Sequence, residues 1–160
     1  EMQELLDRTI QVVRDVATSL RPAVVDLGVI PAIEWLATDF SRRYGITCHL
    51  EVAEPAQALT GRQTEVIFRI AQETLTNVAR HANAKQVWMA LGHEGGVFFM
   101  EIQDDGRGLP EGFQAGERTF GMLGMGERAR SVGGEILIAG RPGQGVRVYL
   151  ELPLVEGGPS

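Results

Sequence analysis

The chain has 160 residues, of which 44% are hydrophobic and 22% charged, and its net charge is −6. This suits one globular domain with an appended element, and the acidic balance argues against a nucleic acid partner. No apolar run approaches the roughly 20 residues that span a bilayer, and the opening EMQELLDRTI does not resemble a signal peptide. With Cys48 as the only cysteine, no internal disulfide can form, and a cytoplasmic domain is expected.

Apolar residues recur at intervals of four and three in the first part of the chain, at Leu6, Ile10, Val13, Ala17 and Leu20. This heptad spacing predicts a helix that packs lengthwise on another helix. This heptad seam of apolar residues is not repeated later in the chain, so the helix that packs on it is expected outside this sequence. An amphipathic helix docked on its own domain would show the same pattern. Pro22 is expected to end the helix, and LRPAVVDLG is a candidate linker.

The next elements follow from periodicity and from turn residues. A helix is predicted over Val29–Tyr44 with Gly45 as its stop, and the alternating ITCHLEV predicts a half-buried strand. A long amphipathic helix is predicted over Gly61–Ala82. Two strands, KQVWMAL and GVFFMEIQ, would be joined by a turn that contains an exposed His93. The second strand is nearly all apolar, so it is expected to be central.

The last third of the chain combines a glycine-rich loop, a short helix and a hairpin. The loop is DDGRGLPEGFQAGERTF and the helix is GMLGMGERARSVG. GEILIAG and GVRVYLELP would form a closing hairpin around RPGQG, before a disordered tail, VEGGPS. The order of elements predicts an α+β fold. It would be a two-layer sandwich with a mixed, mostly antiparallel sheet and helices on one face.

The stretch QETLTNVARHA carries polar side chains at helical spacing. Glu73, Asn77 and Arg80 fall at intervals of four and three, with His81 beside them, so they share one side of a helix. A carboxylate and an amide oxygen one turn apart suit a Mg²⁺ ion that keeps several waters. A guanidinium one turn further on suits a phosphate oxygen. A solvated polar face would carry the same residues, and the stretch alone leaves both interpretations open.

A second candidate lies where the central strand runs into DDGRG. Asp104 would stand at the end of a buried strand, where an ionised carboxylate can accept a hydrogen bond from an amine such as that of adenine. Gly106 and Gly108 would let a flat ligand approach the backbone. A tight turn with solvated aspartates is the plain alternative, and the spacing does not match a calcium-binding EF-hand. The glycines that open GMLGMGERA could expose N–H groups to a phosphate, which is a weak signal alone.

Taken in order, these motifs resemble the ATP-binding domain of bacterial sensor histidine kinases, in the superfamily that includes DNA gyrase, Hsp90 and MutL. QETLTNVARHA is similar to the N box, DDGRG to the G1 box and GMLGMGERA to the G2 box of the nitrate/nitrite-sensor subfamily. The closing VGGEILIAGRPGQGVRVYLELP is similar to that subfamily as well. The resemblance covers about Leu27 to Leu154 and implies a Bergerat-type ATP-binding fold.

The resemblance also implies residue roles. Asn77 would be the Mg²⁺ ligand, and Glu73 would hold the metal or its waters, so both are catalytic and metal-binding candidates. Asp104 would accept the adenine amine, and residues 109–120 would form a short lid over ATP. The nucleotide contacts would be Asn77, Arg80, His81, Asp104, Gly106, Gly108, Gly121, Leu123 and Gly124.

The implied activity is that of an ATP-dependent protein histidine kinase. The domain would donate the γ-phosphoryl group of Mg-ATP to a histidine on a dimerisation helix absent from this chain, for onward transfer to a response regulator. Residues 1–21 would be the second helix of that hairpin, through which the complete protein would form a homodimer. Residues 22–28 would be a linker, 29–155 the catalytic domain and 156–160 the tail. Alternatives are a serine kinase of the anti-sigma-factor type and a nucleotide-gated pseudokinase module.

Several residues qualify this interpretation. His49, His81 and His93 lie in the wrong places to be the phosphate acceptor. Val146 stands where the family usually has a threonine near the adenine pocket, and Gly126 stands where a basic residue is usual. These departures remove a hydroxyl and a positive charge, so a lower affinity for ATP is expected rather than a loss of function.

Overall fold

The computed structural model describes residues 2–9, 23–53, 59–109 and 120–154, without the side chains of 120–123. Residues 2–9 are helical, and the Leu6 side chain of the predicted seam is exposed there. The rest of the seam, Pro22, the tail and most of the predicted lid lie outside the described residues. The predicted hairpin helix, lid and tail therefore stay predictions.

From residue 23 onward the described chain alternates helices and strands. No described helix is long and apolar enough to cross a lipid bilayer. The elements are a 3-10 helix (Ala23–Leu27), α1 (Val29–Tyr44), β1 (Thr47–Val52), α2 (Gly61–Asn77), a π-helical turn (Val78–Ala82), β2 (Gln86–Glu94), β3 (Val97–Asp104), α3 (Phe120–Ser131), β4 (Glu135–Gly140) and β5 (Val146–Pro153).

Short-range hydrogen bonds set the limits of the first two helices. α1 ends at Gly45, which is left-handed (φ 66°) and donates its N–H to the Ser41 carbonyl oxygen at 2.9 Å. α2 begins with a capping box in which Thr60 Oγ1 accepts the Gln63 N–H and Gln63 Oε1 accepts the Thr60 N–H. Such pairs satisfy N–H groups that a helix start leaves free. The predicted stop at Gly45 and start at Gly61 are both confirmed.

The strands form one mixed sheet in the order β1-β2-β3-β5-β4. β1 and β2 are parallel, because α2 carries the chain back between them, and the other pairs are antiparallel. The apolar β3 is the central strand, as predicted. The helices α1, α2 and α3 and the 3-10 helix share one core with the sheet, so the predicted α+β sandwich with helices on one side is confirmed.

The two faces of the sheet differ sharply. Apart from Gly92, the buried residues of the strands all point to the helix side. On β3 these are Phe98, Met100, Ile102 and Asp104, in strict alternation. We call the other side, whose side chains alternate with these, the open face. Asp104 is thus a carboxylate on the face that otherwise buries the apolar core.

The structure differs from the sequence predictions at three places. The helix predicted over Gly61–Ala82 keeps its extent, but its last turn, Val78–Ala82, is π-helical. His93 is half-buried on β2 and not an exposed turn residue, because the reversal needs only two left-handed glycines, Gly95 and Gly96. Part of the predicted linker forms the 3-10 helix Ala23–Leu27, whose Val25 is 2% exposed.

Candidate functional site

Asp104 is the most deeply buried carboxylate of the described residues. Its side chain is 3% exposed, and Oδ1 accepts the Gly106 backbone N–H at 2.8 Å. Burial raises the pKa of Asp104 above its ordinary value, and the neighbouring Asp105 carboxylate raises it further. The N–H groups of Gly106 and Val146, which donate to the carboxylate, partly offset that rise. A buried carboxylate of this kind is a candidate ligand-binding group.

Backbone hydrogen bonds fix the loop that follows Asp104. The Arg107 N–H donates to the Ala82 carbonyl oxygen at 2.7 Å, which joins this loop to the end of the π-helical turn. On the other side, the Gly145 N–H donates to the Gly106 carbonyl oxygen at 2.9 Å. The loop is therefore held between the end of the QETLTNVARHA stretch and the β4–β5 turn.

The two predicted glycines of this loop are there because no side chain fits. A Cβ on Gly106 would overlap the Ala82 carbonyl oxygen. Gly108 is left-handed (φ 77°), and a Cβ there would overlap the Arg141 carbonyl oxygen. Both glycines permit close backbone packing, and this packing places the loop beside Asp104.

Asp105 has a structural role that the sequence reasoning missed. Its Oδ1 accepts two backbone N–H groups, from Lys85 at 2.8 Å and from Gln86 at 3.0 Å. The hydrogen bond from Gln86 is the largest cause of a lowered Asp105 pKa. The carboxylate therefore clamps the start of β2 to the end of β3. The doubled aspartate in DDGRG was the only signal in the sequence that could have suggested it.

Glu73 and Asn77 lie one turn apart on α2, and both are half-buried. Between them is Thr74, which is 4% exposed. Its hydroxyl donates to the Ile70 carbonyl oxygen at 2.8 Å and lies 3.4 Å from Met125 Sδ of α3. The carboxylate and the amide therefore flank the line along which α2 packs on α3.

The structure separates Arg80 and His81 from the regular helix. Both are exposed and lie in the π-helical turn after Asn77. The predicted stripe from Glu73 through Asn77 to Arg80 therefore passes from an α-helix into a π-helical turn at its last step, and a π turn is wider than an α turn. π-helical turns of this kind occur frequently at functional sites. The turn ends at Ala82, whose carbonyl oxygen holds Arg107.

The glycines expected at the phosphates lie in the first turns of α3, which starts at Phe120. A Cβ built on Gly124 meets no atom of the described residues within 4 Å, so that part of the structure leaves space beside it. The next residue, Met125, is 1% exposed and packs against Thr74. Gly121 lies in the first turn, and the Leu123 side chain is outside the described part. Gly126, one of the two departures from the family pattern, is buried.

Glu73 and Asn77 are the candidate metal donors on α2. The described residues contain no cluster of three or more His, Cys, Asp or Glu side chains that could hold an ion alone. A carboxylate and an amide oxygen fit Mg²⁺, which is usually bound by one or two protein groups together with waters and substrate phosphates. The donor set fits that ion only when a phosphate ligand is present.

Comparison with known proteins identifies the family of this domain. Residues 62–156, more than half of the chain, match the profile of the family described as histidine kinase-, DNA gyrase B- and HSP90-like ATPase. The signal transduction histidine-protein kinase/phosphatase UhpB of Salmonella typhimurium is 35% identical over 143 residues, which are 88% of this chain and 28% of UhpB. The nitrate/nitrite sensor protein NarX of Escherichia coli is 26% identical over 86% of this chain and 23% of its own length.

A solved structure supports the fold. The histidine kinase AdeS of Acinetobacter baumannii superposes with a TM-score of 0.64 at 14% identity, covering 96% of this chain and 83% of that chain. The chain spans less than half the length of the curated relatives it matches. The likeness to AdeS therefore concerns the fold, and the profile match concerns the ATPase domain.

Proposed function

Because the chain belongs to the histidine kinase-, DNA gyrase B- and HSP90-like ATPase family, we propose that it binds Mg-ATP as the catalytic domain of a sensor histidine kinase. The observation that carries the proposal is the Asp104 carboxylate, buried at the end of the central strand. It lies beside a loop whose backbone is fixed on two sides. An ionised carboxylate can accept several hydrogen bonds, and the exocyclic amine of adenine is a donor that would suit it.

At the base end, Asp104 would accept the adenine amine. Gly106 and Gly108 would bring the loop backbone against the base, and His81 would lie beside the ring. Oδ1 of Asp104 is already engaged by the Gly106 N–H, so the amine would bond to the remaining acceptor sites of the carboxylate. Val146 contributes its backbone N–H to the same carboxylate. This contribution does not depend on the missing threonine hydroxyl.

At the phosphate end, Asn77 and Glu73 would hold Mg²⁺ through an amide and a carboxylate oxygen. Mg²⁺ bound there would neutralise charge on the triphosphate. Arg80 would bind a phosphate oxygen, and the free N–H groups at the start of α3, near Gly121, Leu123 and Gly124, would bind another. The open space beside Gly124 is consistent with a ligand that approaches the helix backbone.

The phosphoryl acceptor would come from outside this chain. In the proposed reaction, the bond between the γ-phosphorus and its bridging oxygen breaks, ADP leaves, and a phosphorus–nitrogen bond forms with a histidine. That histidine would lie on the first helix of a dimerisation hairpin, and residues 1–21 would belong to the second. The phosphoryl group would then pass to a response regulator aspartate, and the complete protein would be a homodimer. We place this domain in the cytoplasm, where ATP is available.

Calorimetric titration with a non-hydrolysable ATP analogue, with and without Mg²⁺, tests the proposal. We expect Asp104→Asn to weaken binding by about tenfold to a hundredfold, which is 1–3 kcal/mol. Asparagine keeps an oxygen for the Gly106 N–H, so the loop should survive. Asp39→Asn is the matched control, because Asp39 pairs with Arg42 and Arg43 on α1 and is not a candidate site residue.

Asn77→Ala distinguishes the contribution of Mg²⁺ to binding from the contribution of the adenine base. We expect it to remove the Mg²⁺ dependence of binding while weak binding without Mg²⁺ persists. Absence of binding by the folded, unmutated chain would overturn the proposal and would favour a pseudokinase interaction module. Binding followed by Mg²⁺-dependent transfer of the γ-phosphoryl group to a supplied histidine-bearing helix would support the kinase activity.

A further inference from the structure

The open face of the sheet carries an unusual amount of apolar surface. Its central residues form three rows across the strands, and strand register fixes every row. A sheet with one solvated face normally presents polar side chains there. Here Trp88 is 42% and Leu137 is 58% exposed. The rows are His49, Trp88, Gln103, Arg147 and Ala139; then Glu51, Ala90, Glu101, Tyr149 and Leu137; then Gly92, Phe99, Glu151 and Glu135.

The aromatic residues of this face are held in fixed positions by their neighbours. Trp88 stacks on His49 with ring centroids 5.7 Å apart, and Phe99 stacks on Tyr149 at 6.5 Å. Tyr149 also donates its hydroxyl to Glu151 Oε1 at 3.1 Å. Pre-ordered aromatic side chains lose little conformational entropy on binding, which makes them efficient contact residues.

The charges on the open face are mostly negative. Among the described strand residues, five carboxylates, Glu51, Glu94, Glu101, Glu135 and Glu151, share it with one guanidinium, Arg147, which is bound to Glu101 at 2.6 Å. The positive charge is confined to one end, where Arg141 and Arg147 line a depression of about 280 Å³. Elsewhere the apolar residues are surrounded by carboxylates, so a partner with positive charge is favoured.

The dimensions of this face suit a helix. Five strands about 4.8 Å apart span roughly 19 Å, and three rows cover roughly 13 Å along the strands. A helix of about 12 residues is about 18 Å long and about 10 Å wide. A helix is also the element that covers the opposite face of this sheet.

Two candidate occupants of the open face could come from this chain itself, namely residues 2–9 and the open face of a second copy. The charges argue against both. The helical residues 2–9 expose Met2, Leu5 and Leu6, but they also carry Glu4 and Asp7 against one arginine. A second copy of the open face would likewise bring carboxylates against carboxylates. We propose that the open face docks an amphipathic helix of a partner protein, with apolar side chains on Trp88, Tyr149 and Leu137 and with Lys or Arg side chains on the carboxylates.

The test uses the 160-residue chain and a fluorescent peptide of about 14 Leu and Lys residues at helical spacing. A matched peptide has Glu in place of Lys. We expect the Leu/Lys peptide to bind and Leu137→Lys to weaken it by about tenfold, whereas Leu27→Lys should leave affinity unchanged. Leu27 is a matched control, since it is 71% exposed and lies on the 3-10 helix.

A second variant pair isolates charge and keeps the test decisive if Leu137→Lys fails to fold. Glu135→Lys should weaken the Leu/Lys peptide by about tenfold, while Glu34→Lys on α1, with the same change in net charge, should not. Equal effects of both members of a pair would overturn the proposal, as would equal binding of the Leu/Glu peptide. Self-association that Leu137→Lys abolishes would also overturn it, because the occupant would then be a second copy.

Discussion

The two ends of the candidate site are built in different ways. At the base end, Asp104 is buried, and backbone atoms of Ala82, Gly106 and Gly145 hold the loop beside it. At the phosphate end, the candidate groups are half-buried side chains such as Asn77, with open space beside Gly124. The base end is thus preorganised by backbone packing, whereas the phosphate end depends on side chains and leaves room for a ligand.

The largest expected effect comes from one methyl group at the base end. Gly106→Ala would place a Cβ on the Ala82 carbonyl oxygen. We expect the free energy of unfolding to fall by about 1–3 kcal/mol, the usual range for overpacking, and binding of the ATP analogue to be lost. Denaturant unfolding and calorimetry measure the two effects.

Gly124→Ala is the control from the phosphate end. The added methyl meets no atom of the described part of the chain within 4 Å, and alanine is favoured over glycine inside a helix by about 1 kcal/mol. Stability should therefore stay level or rise, while affinity for the analogue falls because the methyl occupies the space proposed for a phosphate. Equal destabilisation by the two alanines would show that the ends do not differ in packing.

The second effect is a pH dependence of nucleotide binding. Burial raises the pKa of Asp104, so protonation begins at a higher pH than for an ordinary aspartate, whose pKa is about 3.9. Only the ionised carboxylate accepts freely from adenine, and affinity should fall up to tenfold per pH unit once the pH is below the raised pKa. Titrations from pH 7.5 downward should show this fall beginning at a higher pH than an ordinary aspartate would give.

Asp104→Asn separates this effect from protonation of the analogue's own phosphates. Its affinity should be low throughout and should change with pH only as the phosphates do. A parallel pH profile in both proteins would assign the whole dependence to the ligand and would leave Asp104 without a titrating role in binding.

Local signals explain what could be predicted from the sequence. Gly45 and the Thr60–Gln63 pair limit their helices through neighbours within four residues. The apolar run of β3 placed Asp104 at the end of a buried strand, because a short continuous apolar run is typical of a buried strand. The central position of β3 followed from its composition. For these features local chemistry was sufficient.

The features that were not predicted depend on contacts between distant segments. The π-helical turn ends at Ala82, whose carbonyl oxygen is bound by Arg107, and helical periodicity carries no information about such a partner. The Asp105 clamp joins residue 105 to residues 85 and 86. The extension of β2 through His93 depends on its pairing with β3. None of these contacts has a sequence signal at a fixed spacing.

The smallest effect concerns the two adjacent aspartates, whose pKa values move in opposite directions. The Asp105 pKa is lowered, chiefly by the Gln86 N–H, so its contribution to stability is present above the unfolded pKa of about 3.9 and is lost as the pH falls through the folded pKa. Asp105→Asn keeps one acceptor oxygen and removes the charge. We expect a loss of less than about 1 kcal/mol at pH 7, since the carboxylate is exposed and screened by solvent.

Asp104→Asn should behave in the opposite way in the free chain. The raised pKa of Asp104 means that its contribution to stability is fully present below about pH 3.9 and is lost as the pH rises through the folded pKa. Removing that charge should leave stability at pH 7 unchanged or higher, while Asp105→Asn lowers it. Unfolding free energies at pH 7 and pH 3.5 would measure both. A loss of stability at pH 7 in both variants would contradict the raised pKa of Asp104, because the buried carboxylate would then stabilise the fold in its ionised form, as the Asp105 carboxylate does.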